Sequence, residues 1–300
     1  MSTVLVTGGA GFLGSHIADA LTARGHQVRI FDTRPSSYRQ PGQQEFIGDI
    51  TNADDVSRAV EGCDYVYHLA AIADLNAAKT RPVDTVRINI GGTLNILEAC
   101  RIHRVKRLMF ASTVYVYSRE GGFYRCSKQA CESYIEQYRQ SYGLNYCVLR
   151  YGSLYGLRAD ASNGVYRFMK QAIQDRKISY GGLATDLRSY IHVGDAANLS
   201  VDALDEAYAD QHLIITGHDG VRVGDLFQMF REMLGYPVQV DYVNSAQQDS
   251  STGQGGHYSI TPYAFTPRPG KKLTTNHYVD IGQGMLQVLE QVHNEIENKS

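Results

Sequence analysis

Six short runs in the first half of the chain, several of them apolar nearly throughout, stand out from their surroundings: Thr3–Thr7, Gln27–Phe31, Glu45–Gly48, Tyr65–Leu69, Arg107–Ala111 and Tyr146–Arg150. Unbroken apolar runs of this length suit strands covered on both faces of a parallel sheet. Between them, apolar residues recur at helical spacing near 12–23, 54–61, 84–103 and 124–142. Strand and helix alternating in this way predict a Rossmann-type, doubly wound parallel α/β sheet. Beyond about residue 152 the pattern loosens. Two further stretches, 195–207 and 280–297, read as helices, and the polar run 244–256 reads as a surface loop. The organisation expected is a Rossmann domain over 1–152, with a strand or helix returning to it from 190–217. Residues 153–300 then form mainly a smaller, discontinuous C-terminal lobe.

Composition narrows the function. Of 300 residues, 43% are hydrophobic and 20% charged, and the net charge of -2 argues against a nucleic-acid-binding surface. No apolar run approaches the ~18 residues of a membrane span, and the N-terminus enters its first strand without a signal-peptide pattern. Five cysteines (Cys63, Cys100, Cys126, Cys131, Cys147) are scattered without a CxxC pair, and ten histidines lack metal-ligand spacing. Reduced thiols in a cytoplasmic enzyme are expected, with no metal site. Cys126 is read as a buried, inert thiol.

The first strand runs into Gly8-Gly9-Ala10-Gly11-Phe12-Leu13-Gly14, where two glycine patterns overlap, one at 9, 11 and 14 and one at 8, 11 and 14. Glycines there permit a tight turn and let backbone approach a pyrophosphate at the next helix's N-terminus. The second strand is followed by Asp32, suitably placed to accept hydrogen bonds from an adenosine ribose. Gly8, Gly11, Phe12, Leu13, Gly14 and Asp32 are therefore candidate cofactor residues. An ordinary strand-turn-helix with an incidental aspartate is the competing reading. Asp32 would repel a 2′-phosphate, so NAD is favoured over NADP, although Arg34 two residues later pulls the other way.

Tyr124 and Lys128 lie four residues apart on a predicted helix, hence on one face. Such a pair is commonly a solvated surface. Beside a nicotinamide, the lysine cation and the positive ring would both favour phenolate, letting tyrosine act as a base near neutral pH. The fifth strand ends in Ser112-Thr113, a source of the hydroxyl that orients a substrate oxygen.

In order along nearly the whole chain, these features resemble the extended short-chain dehydrogenase/reductase family of sugar-nucleotide epimerases and dehydratases. Thr7-Gly-Gly-Ala-Gly-Phe-Leu-Gly14 is similar to its first turn, and Gly48-Asp49-Ile50 to the segment that holds adenine. His68-Leu69-Ala70-Ala71 resembles the strand end lying along the cofactor, and Asn89 begins a stretch like the helix after it. Phe110-Ala-Ser-Thr-Val-Tyr-Val-Tyr117 matches the serine/threonine motif, whose catalytic hydroxyl falls on Thr113, with Ser112 beside it as a partial stand-in. Arg188-Ser-Tyr-Ile-His-Val193 resembles the second-lobe signature whose arginine contacts the substrate diphosphate. The resemblance implies Thr113, Tyr124 and Lys128 as the catalytic set. It adds Asp49, Ile50, Leu69, Ala70, Ala71 and Lys128 to the cofactor residues, and His68 and His192 as packing or hydrogen-bonding residues.

The departures bear on the reaction. The connection from Thr113 to Tyr124 is shorter than usual for the family. Ser153 stands where asparagine often meets the substrate, in Arg150-Tyr-Gly-Ser153-Leu-Tyr-Gly156. Val114 and Tyr115 occupy positions where dehydratases and decarboxylases carry carboxylates, which disfavours those reactions. The expectation is an NAD-dependent epimerase of a nucleotide-diphosphate sugar, acting at carbon 4 through a 4-keto sugar, with Ser153 and Arg188 as substrate contacts. A dehydratase or keto-sugar reductase on the same scaffold, or a dinucleotide-sensing protein, are the alternatives. The resemblance also implies a homodimer through helices 84–103 and 124–142, with Ile88, Leu94, Leu97, Ala130 and Ile135 at its interface or else against the sheet.

Overall fold

A computed structural model describes residues 1–118, 121–242, 270–275 and 277–298. Its main sheet has eight parallel strands. The first six are β1 (Thr3–Thr7), β2 (Gln27–Asp32), β3 (Gln44–Ile47), β4 (Tyr65–His68), β5 (Arg107–Thr113) and β6 (Tyr146–Tyr151). Across the sheet they run β3, β2, β1, β4, β5, β6, and the strands Gln211–Ile215 and Lys271–Leu273 extend the sheet beyond β6. The order reverses beside β1, so the loops leaving β1 and β4 diverge and open a crevice at the strands' carboxyl ends.

The apolar runs are buried because helices cover both faces. Val4, Leu5 and Val6 have no exposure at all. On one side Leu5, Phe31, Leu108, Phe110 and Val148 pack with Val56, Ile96, Leu97, Cys131 and Ile135 from the helices Ala53–Val60, Gly92–Ile102 and Gly122–Tyr142. The other side carries the helices Phe12–Ala23 and Val193–Asp202, and the Tyr67 and Tyr151 hydroxyls both bond to Ser200. Leu97 and Ile135 therefore belong to the sheet-facing core, worth about 1.5–3 kcal/mol each, and are not available to a partner.

The helix expected over 84–103 is present from Pro82 to Ile102 but is not regular throughout. A short turn, Pro82–Thr85, passes into a π-helical segment, Val86–Gly91, before the regular helix Gly92–Ile102 begins. The π-turn directs Asn89 into the interior, where it is 1% exposed. Gly92 is required by packing, since a methyl group there would lie 2.6 Å from Ile50 Cδ1.

By its internal contacts the chain divides into two units. One holds 1–152, 193–216 and the strand at 271–273. The other holds, among the described residues, 153–192, 217–242 and 277–298. This second unit contains the helices Gly164–Asp175, Val223–Leu234 and Ile281–Glu297 and strands only two to four residues long. Phe168, Tyr180 and Phe227 form its aromatic centre, with ring centres 5.3–5.8 Å apart. Asn163 and Asp280 cap the first and third helices.

Lys271 and Lys272 lie in the strand that pairs with Gln211–Ile215. The polar run 244–256 lies outside the described residues.

Candidate active site

The glycine turn is built by close approach. Gly8 adopts φ +70, and a methyl group there would sit 2.8 Å from Ala70 N; one at Gly14 would sit 2.1 Å from Gly8 O. Gly11 N bonds back to Gly8 O at 3.0 Å, and Gly11 begins the helix Phe12–Ala23 without a side-chain cap. The first-turn amides, including those of Phe12, Leu13 and Gly14, are thereby directed at the turn. Asp32, at the end of β2, accepts from Ala10 N at 3.1 Å, and its carbonyl accepts from Gly48 N at 3.0 Å. Asp49 is exposed beside it and caps its own turn through Thr51 N, whereas the Ile50 side chain is buried against Gly92. Arg34 is exposed.

Thr7 organises the adjacent wall, a role sequence reasoning did not assign to it. Its hydroxyl accepts from Leu69 N and Ala70 N, both at 3.2 Å, and meets His68 Nδ1 at 2.7 Å. His68 reaches Thr93 Oγ1 with its other nitrogen at 3.0 Å. Burial, helped by the Lys128 charge, lowers its pKa to about 3, so it is a neutral hydrogen-bonding residue. Leu69, Ala70 and Ala71 follow it, half-buried. His192, in the other unit, likewise pairs with Gln287 Oε1 at 3.0 Å and packs edge-on to Tyr155.

Tyr124 and Lys128 face inward from the helix Gly122–Tyr142. Lys128 is 3% exposed, which rules out a solvated surface pair. Its Nζ donates to Ala111 O at 2.7 Å and lies 4.6 Å from the Phe110 ring centre and 5.8 Å from that of Tyr124. Burial brings the Lys128 pKa down to about 8. The expected lowering of Tyr124 is not present in the chain by itself. Burial, then the neighbouring Tyr115 and Cys131, push its phenol well up, and Lys128 spends its nearest contact on a carbonyl.

Thr113 is 5% exposed, and its hydroxyl accepts from Tyr115 N at 3.2 Å, capping the short 3-10 turn Val114–Tyr117. The helix holds this turn through Gln129 to Val116 O and Arg125 to Ser118 O. Ser112 is no stand-in for Thr113, because its hydroxyl is committed to Glu132 Oε1 at 2.5 Å. Asn89 ties the same helix to the segment after β4. It accepts from Ile72 N and donates to Ile72 O and to Ser127 Oγ, the residue before Lys128. Cys126 is exposed, contrary to expectation, since two residues' offset from both Tyr124 and Lys128 turns it to the opposite side of the helix.

In the second unit, the Ser153 amide donates to Ser189 O at 2.9 Å, which brings Ser153 next to Arg188. Arg188 NH2 lies 3.2 Å from the Tyr180 hydroxyl, which itself donates to Asp186 at 2.8 Å. Among the described residues, no group of three or more His, Cys, Asp or Glu side chains is disposed to hold a metal ion, and no helix is long and apolar enough to cross a membrane.

The family model for the NAD dependent epimerase/dehydratase family matches residues 4–216. The chain belongs to that family. Among members of the NAD dependent epimerase/dehydratase family, it is 29% identical over 260 residues to a putative UDP-glucose 4-epimerase of Methanocaldococcus jannaschii, covering 80% of this chain and 85% of the relative. It is 29% identical over 258 residues to a UDP-N-acetyl-alpha-D-glucosaminuronate decarboxylase of Bacillus cytotoxicus, covering 76% and 79%. A solved UDP-glucose 4-epimerase of Thermus thermophilus, in complex with NAD, superposes with a TM-score of 0.78 at 28% identity, covering 97% of this chain and 99% of that one. The family's dinucleotide fits the residues present: Gly8 and Gly14 leave no space for side chains, and Asp32 closes the turn that the uncapped helix begins.

Proposed function

We propose that this protein is an NAD-dependent epimerase of a nucleotide-diphosphate sugar, acting at carbon 4. The observation that carries the reading is Lys128, buried against Ala111 with Tyr124 one helical turn before it and Thr113 ending the same strand. The glycine turn with Asp32 would hold the pyrophosphate and the adenosine ribose, and Asp49, Ile50 and Leu69 to Ala71 would line the rest of the cofactor. NAD, when bound, supplies a reversible hydride acceptor and the positive charge that Tyr124 lacks in the chain alone. Thr113 orients the sugar hydroxyl, Tyr124 takes its proton as the carbon is oxidised, and Lys128 stabilises the phenolate. The proton returns from Tyr124 once the 4-keto sugar has presented its other face, so the cycle has no net redox change. Arg188, braced by Tyr180, suits a diphosphate, and Ser153 supplies a further substrate contact.

Val114 and Tyr115 offer no carboxylate, which sets the chain against dehydration or decarboxylation by carboxylate catalysis. The exposed Val86, Ile102, Tyr134 and Tyr142 support a homodimer through the Gly92–Ile102 and Gly122–Tyr142 helices and the π-turn before them. The scattered free thiols support a cytoplasmic location. Incubation with UDP-, dTDP- and GDP-sugars, with products identified by NMR, tests the activity. A stereoisomer of unchanged mass supports it; loss of water or carbon dioxide, or a requirement for added reduced cofactor, overturns it.

A further inference from the structure

Tyr124, Lys128 and Glu132 follow one another at one-turn spacing along the helix Gly122–Tyr142, yet the reaction above uses only the first two. Glu132 is 1% exposed. Its Oε1 accepts from the Ser112 hydroxyl at 2.5 Å and from Arg150 Nε at 3.1 Å, and its Oε2 accepts from Arg150 NH2 at 2.6 Å. Ser112 and Arg150 are cross-strand partners on β5 and β6, so one carboxylate straps the helix to two neighbouring strands. Arg150 also donates to His212 Nδ1 at 2.8 Å and to the Tyr117 hydroxyl. Because a guanidinium only donates, His212 accepts at Nδ1, and its Nε2 lies 3.1 Å from Glu136 Oε1 back on the helix.

Hydrogen bonds and charge from these partners matter for Glu132. Burial alone would raise its carboxyl pKa, but hydrogen bonds from Arg150 and Ser112, with the Arg150 charge, carry it below the ordinary range. Even so, taking two charges out of water largely offsets their attraction, and apolar side chains of similar volume are often as stabilising in such places. Stability therefore gives a weak reason for this pair. Its placement gives a stronger one. Ser112 directly precedes Thr113, Glu132 follows Lys128 by one turn, and Tyr117 ends the turn that Thr113 caps.

We infer that Glu132 and Arg150 are positioning residues that fix the height and rotation of the Tyr124–Lys128 helix face against the end of β5 carrying Thr113. The inference rests on the reading of Thr113, Tyr124 and Lys128 as the reacting groups. Misplacement of such groups by about 1 Å can cost about a hundredfold in rate.

The test is the double variant Glu132→Leu/Arg150→Met, which removes both charges together and leaves neither buried alone. It is assayed with bound NAD, well below its melting transition, on a UDP-sugar that the wild-type protein epimerises. Per NAD-loaded site, kcat falls by about tenfold to a hundredfold while KM stays within about twofold, and the pH dependence of kcat is displaced. Wild-type kcat per loaded site with an unmoved pH profile, whatever the change in Tm, overturns the inference. Should the double variant not fold, Ser112→Ala decides, since it cuts the strap and leaves the ion pair whole. A kcat about tenfold lower at unchanged KM supports the inference, and wild-type kcat overturns it. Tyr124→Phe in the same assay separates the two levels. If it turns over normally, the catalytic reading itself has failed; if it is inactive while the other variants are unaffected, only the positioning role has.

Discussion

A methyl group at Gly14 would lie 2.1 Å from Gly8 O, whereas at the end of β5 the chain packs Lys128, Glu132 and Arg150 with 3% exposure or less. The glycine turn, proposed to hold the cofactor, is made by leaving side chains out, and its donors are backbone amides that never titrate. The proposed catalytic platform is made by forcing charged side chains in, and its groups carry displaced pKa values. The first should be intolerant of added volume and indifferent to pH; the second should tolerate volume better and respond to every lost charge.

The largest effect is expected at the platform. Tyr124→Phe should lower kcat by about 10²–10⁴-fold while leaving NAD affinity intact, measured by single-turnover absorbance of the bound nicotinamide and by cofactor titration. Lys128→Met should lower kcat comparably and weaken NAD binding too. Its stability should nevertheless not fall, because Lys128 is charged at neutral pH in a site that disfavours the charge. With its pKa brought down to about 8, the wild-type chain binds fewer protons folded than unfolded between pH 8 and ~10.5. Stability contributed by this group therefore rises with pH across that window, and Lys128→Met should abolish the rise in urea melts.

At the turn, Gly14→Ala should cost NAD binding about a hundredfold or more and destabilise the fold by ~1–3 kcal/mol. Gly11→Ala, where the nearest atom would be 3.1 Å away, should do markedly less on both counts. Equal losses would remove close approach as the turn's governing feature. Thr113→Ala should lower kcat by about a hundredfold without rescue from Ser112, whose hydroxyl is held by Glu132. The smallest effect concerns His68. Its pKa falls to about 3 when folded against ~6.5 unfolded, so protonation on acidification favours the unfolded chain. Stability from this group is complete above pH ~6.5 and declines toward pH 3, by about 1–2 kcal/mol on reaching pH 5. Denaturant melts of a His68→Gln variant should show a shallower decline over that interval.

The two regions also differ in how plainly the sequence announces them. Gly8 to Gly14 and Asp32 declare themselves because the constraint is local: a strand, a tight turn and a helix adjacent in the chain. Tyr124 and Lys128 share a face by their spacing alone, and Glu132 sits one turn further along the same face, a signal that could have been followed. What completes its site was hidden, since Ser112, Arg150 and His212 come from three strands and meet Glu132 only when the sheet assembles. The π-turn at Val86–Gly91 was hidden for a different reason: its apolar pattern passes for an ordinary helix, and only the inward turn of Asn89 distinguishes it. The second unit was read least well because strands of two to four residues are too short to show alternation.

The strand Gln211–Ile215 has one more consequence, in the order of events as the chain emerges during synthesis. A nascent polypeptide that has reached residue 152 already contains Thr113, Tyr124 and Lys128, but its β6 is still an open edge. All six of that strand's residues are buried in the finished sheet, and the neighbour that covers them, bringing His212 to Arg150, lies far downstream. If the first 152 residues fold before it arrives, β6 presents unpaired backbone to any other strand nearby. The chain thus carries the residues proposed to react early in its length and the strand that completes their surroundings late.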